Sequence, residues 1–132
     1  EAEGVTGQTG DPLQALVGKP LPLSGYTIDG GPLEMANYQG KVVLVDCLTL
    51  WLSNLFHHNR DIEQETMALC NALQSSQVQI ALVSNEIGLG LVPETSLGRA
   101  FRDAQGRLNQ NVAAVCDQVD FVAAGLPLRL KG

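Results

Sequence analysis

The sequence predicts a three-layer α/β protein with a mainly parallel sheet, and three observations carry that prediction. Residues 41–46 and 78–83 are continuous apolar runs with the length and β-branched composition of strands buried on both faces. Each run is followed by a segment with the periodicity of an amphipathic helix. Strands that alternate with helices along a chain form a parallel sheet covered by helices.

Length and composition limit the classes of protein to which the chain belongs. Its 132 residues suffice for one domain with a hydrophobic core, and 45% hydrophobic with 17% charged residues is a globular composition. A net charge of −6 provides no basic surface for a phosphate backbone, which argues against a nucleic-acid partner. No apolar run approaches the roughly 18 residues of a membrane span, and the acidic first residues do not resemble a signal peptide.

The first part of the chain is predicted to contain a tail and a hairpin. Residues 1–17 are expected to form a flexible tail, with one helical turn after Pro12. We expect residues 18–132 to form a single α/β domain. Residues 21–27 alternate between apolar and polar, and the turn signal at residues 29–31 follows them, which predicts a β-hairpin.

The middle of the chain is predicted to contain two helices after the strand at residues 41–46. Helical periodicity runs through residues 47–56 and stops at the polar stretch 57–60. A second helix is predicted over residues 61–75, because Asp61 is a favourable N-cap and glutamates follow in the first turn. The buried face of this helix is expected to contain Ile62, Leu69 and Leu73.

A long helix is predicted over residues 95–117, after the strand at residues 78–83. Its polar side carries the charged i, i+4 pairs Arg99–Asp103 and Asp103–Arg107. Its apolar stripe is formed by residues spaced three and four apart, namely Leu97, Phe101, Ala104, Leu108, Val112 and Val115.

A last strand is predicted at residues 119–124. We expect it to join the strands at residues 41–46 and 78–83 in the core sheet. It is then expected to lead into an edge hairpin with residues 128–131, because a Gly-Leu-Pro turn signal separates the two segments.

The candidate functional residues are acids, an amide and a hydroxyl located just after the strands. Asp46 ends the first apolar run with Thr49 three residues later, and Asn85 and Glu86 follow the second run. Ligands of open α/β sheets bind at the carboxyl ends of the strands, where Asp46 and Glu86 are suited to hold Mg²⁺ beside a nucleotide phosphate. Two structural alternatives remain open: Asp46 as an N-cap of the following helix, and the glycine-containing loop as a plain turn.

Other polar residues have structural explanations beside functional ones. His57 and His58 are adjacent in a polar loop without a positioned carboxylate, which favours solvated side chains over a nucleophile or general base. Arg99 and Arg102 are placed either to reach an anionic ligand near the loop or to pair with Asp103. No zinc site is expected, and buried or half-buried thiols in a reducing compartment are predicted for three cysteines without a C-x-x-C motif, Cys47, Cys70 and Cys116.

Two blocks of sequence carry a resemblance to a known family. The first is VVLVDCLTLWLSNLF, and the second is NEIGLGLVPE followed by RAFRDAQGRLNQ. With these blocks, residues 42–132 closely resemble adenosylcobinamide kinase/adenosylcobinamide-phosphate guanylyltransferase, and the second block is highly specific to that family. The resemblance implies a truncated RecA-like P-loop fold in a cytoplasmic enzyme of cobalamin biosynthesis, which phosphorylates adenosylcobinamide and then transfers GMP to it.

The resemblance also implies ligands and site residues. The ligands are GTP or ATP with Mg²⁺, and a corrinoid. Asp46 is expected to contact GTP with Thr49 beside it, and Asp46 and Glu86 are the candidate metal ligands. The other residues that match the family's pattern, and are therefore candidates for nucleotide binding, are Asn85, Glu86, Arg99, Arg102, Asp103 and Asn109.

Two features of that family have no counterpart in the printed sequence. One is the glycine-rich G-x-x-x-S-G-K-S phosphate loop, and the other is the GMP-carrying histidine, which in the family precedes the strand that ends at Asp46. His57 and His58 follow that strand, so the role is not transferred to them. We therefore expect residual nucleotide binding at most, and no turnover.

Residues 18–46 resemble a different family, the thioredoxin-like thiol–disulfide oxidoreductases. Where that family has W-C-x-x-C, residues 51–55 read WLSNL, so dithiol exchange has no reacting groups. The alternatives to a cobinamide enzyme are therefore a redox module without its dithiol, or a non-catalytic or engineered chimera joined within the shared strand. Exposed edges of a truncated sheet would favour a homo-oligomer.

Overall fold

The structure, a computed structural model, describes residues 25–26, 32–33 and 40–132. These residues form helices together with parallel and antiparallel strands, so the predicted α/β class is confirmed. In chain order the elements are β1 (Gly25–Tyr26), β2 (Pro32–Leu33), β3 (Val42–Asp46), α1 (Leu48–His57), α2 (Ile62–Ser75), β4 (Gln79–Val83), α3 (Ser96–Val115), β5 (Val119–Ala123) and β6 (Leu126–Lys131).

β3 and β4 form the parallel sheet of the fold. The two strands pair over their whole length, and the register ends with Asp46 opposite Val83. α1 and α2 form the crossover between them, which is the connection that parallel strands require. Since side chains alternate along a strand, one face of this sheet presents Val45 and Leu82, which pack against the core.

The hydrophobic core lies between this face of the sheet and the three helices. The rings of Phe56 and Phe101 meet edge to face with centroids 5.4 Å apart, which links α1 to α3. Full burial of a leucine stabilises by about 1.5–3 kcal/mol, so each buried leucine of this core contributes about that much. The buried members of this core are Leu48, Trp51, Leu52, Leu55, Leu69, Ala104, Leu108 and Val112.

The helix boundaries follow from the capping residues. Asp61 caps α2 and Thr95 caps α3, each accepting a hydrogen bond of 3.0 Å from the backbone N–H three residues later. Each cap satisfies an amide that the start of a helix leaves without an intrahelical partner. α1 begins after Cys47, whose side chain makes no capping bond. The N-cap of α1 is therefore not Asp46, and that alternative is wrong.

β5 departs from the predicted sheet. Among the described residues it pairs antiparallel with β6 rather than joining β3 and β4, so the expectation of one three-stranded core sheet is wrong there. The turn between the two strands consists of Ala124 and Gly125, with φ of 52° and 77°. Positive φ at both residues gives the twist that a two-residue hairpin requires, so β5 closes on the next segment of chain without a crossover. The predicted terminal hairpin itself is present, but Leu126 and Pro127 belong to β6, so the predicted Gly-Leu-Pro turn and the strand start at residue 128 are wrong.

Two expectations about burial are also wrong. Val42 and Leu44 are 59% and 64% exposed, so β3 is not buried on both faces, because the described helices pack on its other face. Leu97 is 66% exposed, although the periodicity assigns it to the apolar stripe of α3. It lies in the first turn of α3, and Phe101 is the first residue of that stripe to reach the core.

β1 and β2 form the antiparallel pair that the N-terminal hairpin prediction requires, with Tyr26 opposite Pro32. The tail at residues 1–17, its helical turn and the turn at residues 29–31 lie outside the described residues. The single-domain boundary at residue 18 stays a prediction. No helix in the described part of the chain has both the length and the apolar character to cross a membrane.

Candidate functional site

The parallel register of β3 and β4 brings the predicted polar residues to one edge of the sheet. Asp46 is the last residue of β3 and lies opposite Val83, the last residue of β4. Ser84, Asn85 and Glu86 therefore leave β4 at the edge where Asp46 ends β3. We name the group formed by Asp46, Thr49, Ser84, Asn85, Glu86 and Asn109 the strand-end site.

Thr49, in the first turn of α1, holds Asn85. Its hydroxyl oxygen accepts hydrogen bonds from the backbone N–H of Asn85 at 3.1 Å and from Asn85 Nδ2 at 3.2 Å. Asn85 Nδ2 also lies 4.0 Å from the sulfur of Cys47, a long contact. These contacts fix the first turn of the loop after β4 to the start of α1. Thr49 therefore orients Asn85, and its hydroxyl proton remains available as a donor.

Asn109 of α3 holds the same loop from the other side. Its Nδ2 donates to the backbone carbonyl of Asn85 at 3.1 Å, and its Oδ1 accepts from the hydroxyl of Ser84 at 2.6 Å. Gln105, one turn earlier, donates from Nε2 to both Ser84 Oγ and Asn109 Oδ1 at 2.9 Å. Asn85 is thus fixed by α1 and by α3 together.

Glu86 folds back onto its own loop. One carboxylate oxygen accepts a hydrogen bond of 2.6 Å from the backbone N–H of Gly88. A Cβ added to Gly88 would lie 2.6 Å from that same oxygen, so the exposed Glu86 side chain would have to move away if residue 88 carried a side chain. The other oxygen of Glu86 makes none of the hydrogen bonds found among residues 40–132 and is free to face a ligand.

Arg99 and Arg102 bind the backbone of the loop between β4 and α3. The guanidinium of Arg99 donates to the carbonyls of Pro93 at 3.1 Å and Glu94 at 2.8 Å. Arg102 donates to the carbonyl of Gly88. The two arginines therefore close this loop against the first turns of α3.

The charged pairs predicted along α3 are absent from the described residues. Ion pairs there join Arg60 to Glu65 and Arg129 to Asp120, whereas Asp103 is exposed and takes part in neither. The prediction that Asp103 pairs with a neighbouring arginine is wrong, because Arg99 and Arg102 direct their guanidinium groups to loop carbonyls instead.

The oxygen-rich composition of the strand-end site fits a hard divalent cation. Asp46 and Glu86 are both exposed, and Asp46 forms none of the ion pairs seen in residues 40–132. Over the same residues, no group of three or more His, Cys, Asp or Glu side chains is arranged around a common point. Two carboxylates suit Mg²⁺, which takes few protein ligands and fills its octahedron with water and substrate phosphate.

Cys47 makes the long contact with Asn85 given above, whereas the two histidines and the other two cysteines make no hydrogen bond to the strand-end site within residues 40–132. His57 ends α1 and His58 follows it as the C-cap, and both are exposed with rings 5.3 Å apart. The three cysteines are free and half-buried, as predicted. Burial raises the pKa of the Cys70 thiol, with a smaller contribution from nearby Cys116, and burial also raises the pKa of Cys116. Neither of these two thiols is therefore an activated nucleophile.

The structure brings most of the predicted residues together and adds two that the sequence does not indicate. Thr49, Asn85 and Asn109 are joined by hydrogen bonds. Ser84 and Gln105 complete the network but belong to no predicted site. A signal for Gln105 does exist, since it lies at a core-facing position of the α3 stripe, one residue after Ala104, where a polar side chain needs a partner.

A parallel α/β unit with acids, amides and a hydroxyl at the carboxyl ends of its strands has the architecture of the open-sheet α/β class, in which ligands bind at that edge. The chain belongs to the cobinamide kinase / cobinamide phosphate guanyltransferase family, whose model matches residues 31–130. The resemblance to that family is thereby confirmed. The match begins before residue 42, so residues 31–46 lie both in it and in the thioredoxin-like segment, and the fusion hypothesis stays a prediction.

Three characterised relatives agree with this assignment. The chain is 46% identical over 95 residues to the bifunctional adenosylcobalamin biosynthesis protein CobP of Pseudomonas aeruginosa, covering 70% of the chain and 55% of that protein. It is 36% identical to CobU of Escherichia coli K12, in a match that covers 69% of the chain and 59% of that protein. It is 35% identical to CobU of Salmonella typhimurium, in a match that covers 67% of the chain and 58% of that protein. The chain thus spans a little over half the length of these relatives.

Proposed function

We propose that the strand-end site binds the Mg²⁺ complex of GTP, or of ATP, in a cytoplasmic protein of cobalamin biosynthesis. In the family to which the chain belongs, such a site would serve phosphorylation of adenosylcobinamide and transfer of GMP to the phosphorylated product, so the proposed partners are a nucleotide and a corrinoid. Two findings support this assignment: the chain belongs to this family, and its relatives are named bifunctional adenosylcobalamin biosynthesis proteins.

The observation that carries the proposal is the parallel register of β3 and β4. It ends with Asp46 opposite Val83, so the carboxylate of Asp46 and the Asn85-Glu86 pair leave neighbouring strands at the same edge. Hydrogen bonds from Asn85 to Thr49 and from Asn109 to Asn85 keep that edge in a defined geometry. A fixed cluster of oxygen donors at strand ends is a suitable site for a phosphate-bound cation.

Asp46 and Glu86 are the residues that would hold Mg²⁺. The cation would supply positive charge against the phosphate oxygens of the nucleotide. Thr49 would donate its hydroxyl proton to a phosphate or a metal-bound water, since its oxygen already accepts from Asn85. Arg99 and Arg102 would act mainly by holding the loop, since both guanidinium groups bind loop carbonyls.

The residues of the printed chain are expected to bind nucleotide without turning it over. The sequence contains no glycine-rich phosphate loop, and no histidine stands among the residues before β3. The phosphate loop stabilises the negative charge during phosphoryl transfer, and the histidine carries the nucleotidyl group covalently. A scaffold that retains only the fold is the competing hypothesis, and it differs from ours in predicting no nucleotide binding.

Isothermal titration of the chain with GTP, in the presence and absence of Mg²⁺, tests the proposal. We expect Mg²⁺-dependent binding that Asp46→Asn weakens by about tenfold or more, equivalent to about 1.4 kcal/mol, because a carboxylate ligand is lost. Asp117→Asn is the matched control, an exposed aspartate beyond the end of α3, and it should leave the affinity unchanged. Absence of binding by the wild type, or equal effects of the two substitutions, would contradict the proposal.

A further inference from the structure

Gln105 is a polar residue in an apolar environment. It is fully buried on α3 between the core residues Ala104 and Leu108. Among residues 40–132 its Oε1 has no hydrogen-bond partner, and an unpaired buried acceptor destabilises the folded state. An aliphatic side chain would pack in the same place without that penalty. Packing therefore does not explain this residue, and the two bonds made by its Nε2 do.

The direction of each hydrogen bond in this network follows from one backbone carbonyl. The carbonyl of Asn85 only accepts, so Asn109 must present Nδ2 to it and turn Oδ1 toward the interior. That oxygen already accepts from Ser84, and its second lone pair can accept from a donor on the buried side. Gln105 supplies this donor from Nε2 and also donates to Ser84 Oγ. An aliphatic side chain at this position would leave Asn109 Oδ1 and Ser84 Oγ without that donor.

We propose that Gln105 is a positioning residue of the strand-end site. It fixes the amide of Asn109 and the hydroxyl of Ser84, and through them the carbonyl of Asn85, without touching a ligand itself. Thr49 fixes the N–H of the same residue from α1. The inference rests on the proposed nucleotide site for its functional meaning, but the positioning itself is measurable without a nucleotide.

Amide hydrogen exchange tests the positioning directly. In Gln105→Met, which keeps the volume of the side chain and removes its donor, the amide of Asn85 should exchange about tenfold faster than in the wild type, because the donor that orders Asn109 is lost. The amide of Leu69, in the core on α2, should be unaffected. A residue with a packing role only would raise exchange at Leu69 as well. Gln110→Glu, an exposed change on the same helix, is the control and should alter neither region.

The pH dependence separates the donor from the shape of the side chain. Burial raises the pKa of the carboxyl in Gln105→Glu, and its protonated form keeps an O–H donor, so the exchange ratio to wild type should stay near one until the pH is high enough to ionise it. Gln105→Met has a similar volume and no donor, so its ratio should remain high at every pH. Ser84→Ala removes the exposed hydroxyl that donates to Asn109 and accepts from Gln105, and it should raise exchange at Asn85 even where a Gln105 variant does not fold.

The outcomes for the two proposals are distinct. If the wild type binds Mg·GTP, Gln105→Met should weaken binding about fivefold while Gln110→Glu does not. If the wild type does not bind, the proposed function fails, and the exchange data alone judge Gln105. The positioning role would be overturned if the amides of residues 84–86 exchanged as slowly as in the wild type both in Ser84→Ala and in a folded Gln105 variant. It would also be overturned if exchange at Leu69 rose as much as exchange at those residues.

Discussion

At the level of single residues, some side chains of the strand-end site are joined by hydrogen bonds, and others face solvent. Thr49, Asn85 and Asn109 are indicated by the sequence because they follow strands or belong to the family motif. Gln105 is not, because a search for an apolar stripe passes over a polar residue at a core position. Its role depends on Ser84, 21 residues earlier, and a contact of that range has no local signal in one sequence.

Ala124 carries a conformation that alanine disfavours. Its φ of 52° lies in the left-handed region, where the Cβ crowds the carbonyl oxygen. Asn occupies this region more readily, so Ala124→Asn should stabilise the protein by about 0.5–1 kcal/mol. Thermal unfolding followed by circular dichroism measures the change. The control is Ala123→Asn, in β5, which should be neutral or destabilising because Asn is disfavoured in strands. A lower melting temperature for Ala124→Asn would contradict the prediction.

At the level of elements, the helices are more predictable than the loop that they frame. The caps Asp61 and Thr95 lie where the sequence places helix starts, since a capping side chain acts only three residues along the chain. The loop between β4 and α3 has no periodicity. Its conformation depends on Arg99 and Arg102, yet the i, i+4 spacing of Arg99 with Asp103 indicates a surface ion pair instead. Arginine donors directed at backbone carbonyls have no comparable sequence pattern.

Arg102 is expected to protect this loop from proteolysis. Leu89 and Leu91 are 78% and 96% exposed, so thermolysin has suitable cleavage positions once the backbone is released. Arg102→Ala removes the donor to Gly88, and a charged hydrogen bond of about 1.5–3 kcal/mol predicts nicking at least about tenfold faster. Global stability should change little, because the loop lies outside the core. Arg107→Ala, on an exposed position of the same helix, is the control; equal nicking rates in both variants would show that Arg102 does not hold the loop.

At the level of the whole molecule, the α/β class is predictable because apolar runs and helical periodicity differ in period. The strand that pairs with β5 is not predictable, because the alternation of apolar and polar residues indicates which face of a strand is buried and how long the strand is, but not which strand lies beside it. The predicted three-stranded sheet overlooks the two-residue turn at Ala124 and Gly125, because alanine is an uncommon residue at positive φ. Burial of β3 on both faces was inferred from its continuous apolar run, yet only one face meets the helices.

The exposed face of the parallel sheet predicts self-association. Val42, Leu44 and Val83 share this face and are 41–64% exposed, beside strand edges that are open among the described residues. Sedimentation velocity over a wide concentration range should show a mass that rises with concentration. Leu44→Glu should suppress the rise, because it places a charge in the apolar face. Leu50→Glu, an equally exposed change on α1, should not. A monomer at all concentrations would refute this prediction.

The most direct test of the strand-end site is the thermal stability of the chain with and without Mg·GTP, for the wild type and for Asp46→Asn. A ligand that binds only the native state, at about 100 times its dissociation constant, stabilises by about 2.7 kcal/mol, which is a shift of several degrees. We predict that Mg·GTP raises the melting temperature of the wild type and that Asp46→Asn abolishes the rise. No shift in the wild type, or the same shift in Asp46→Asn, would contradict a nucleotide site at the end of β3.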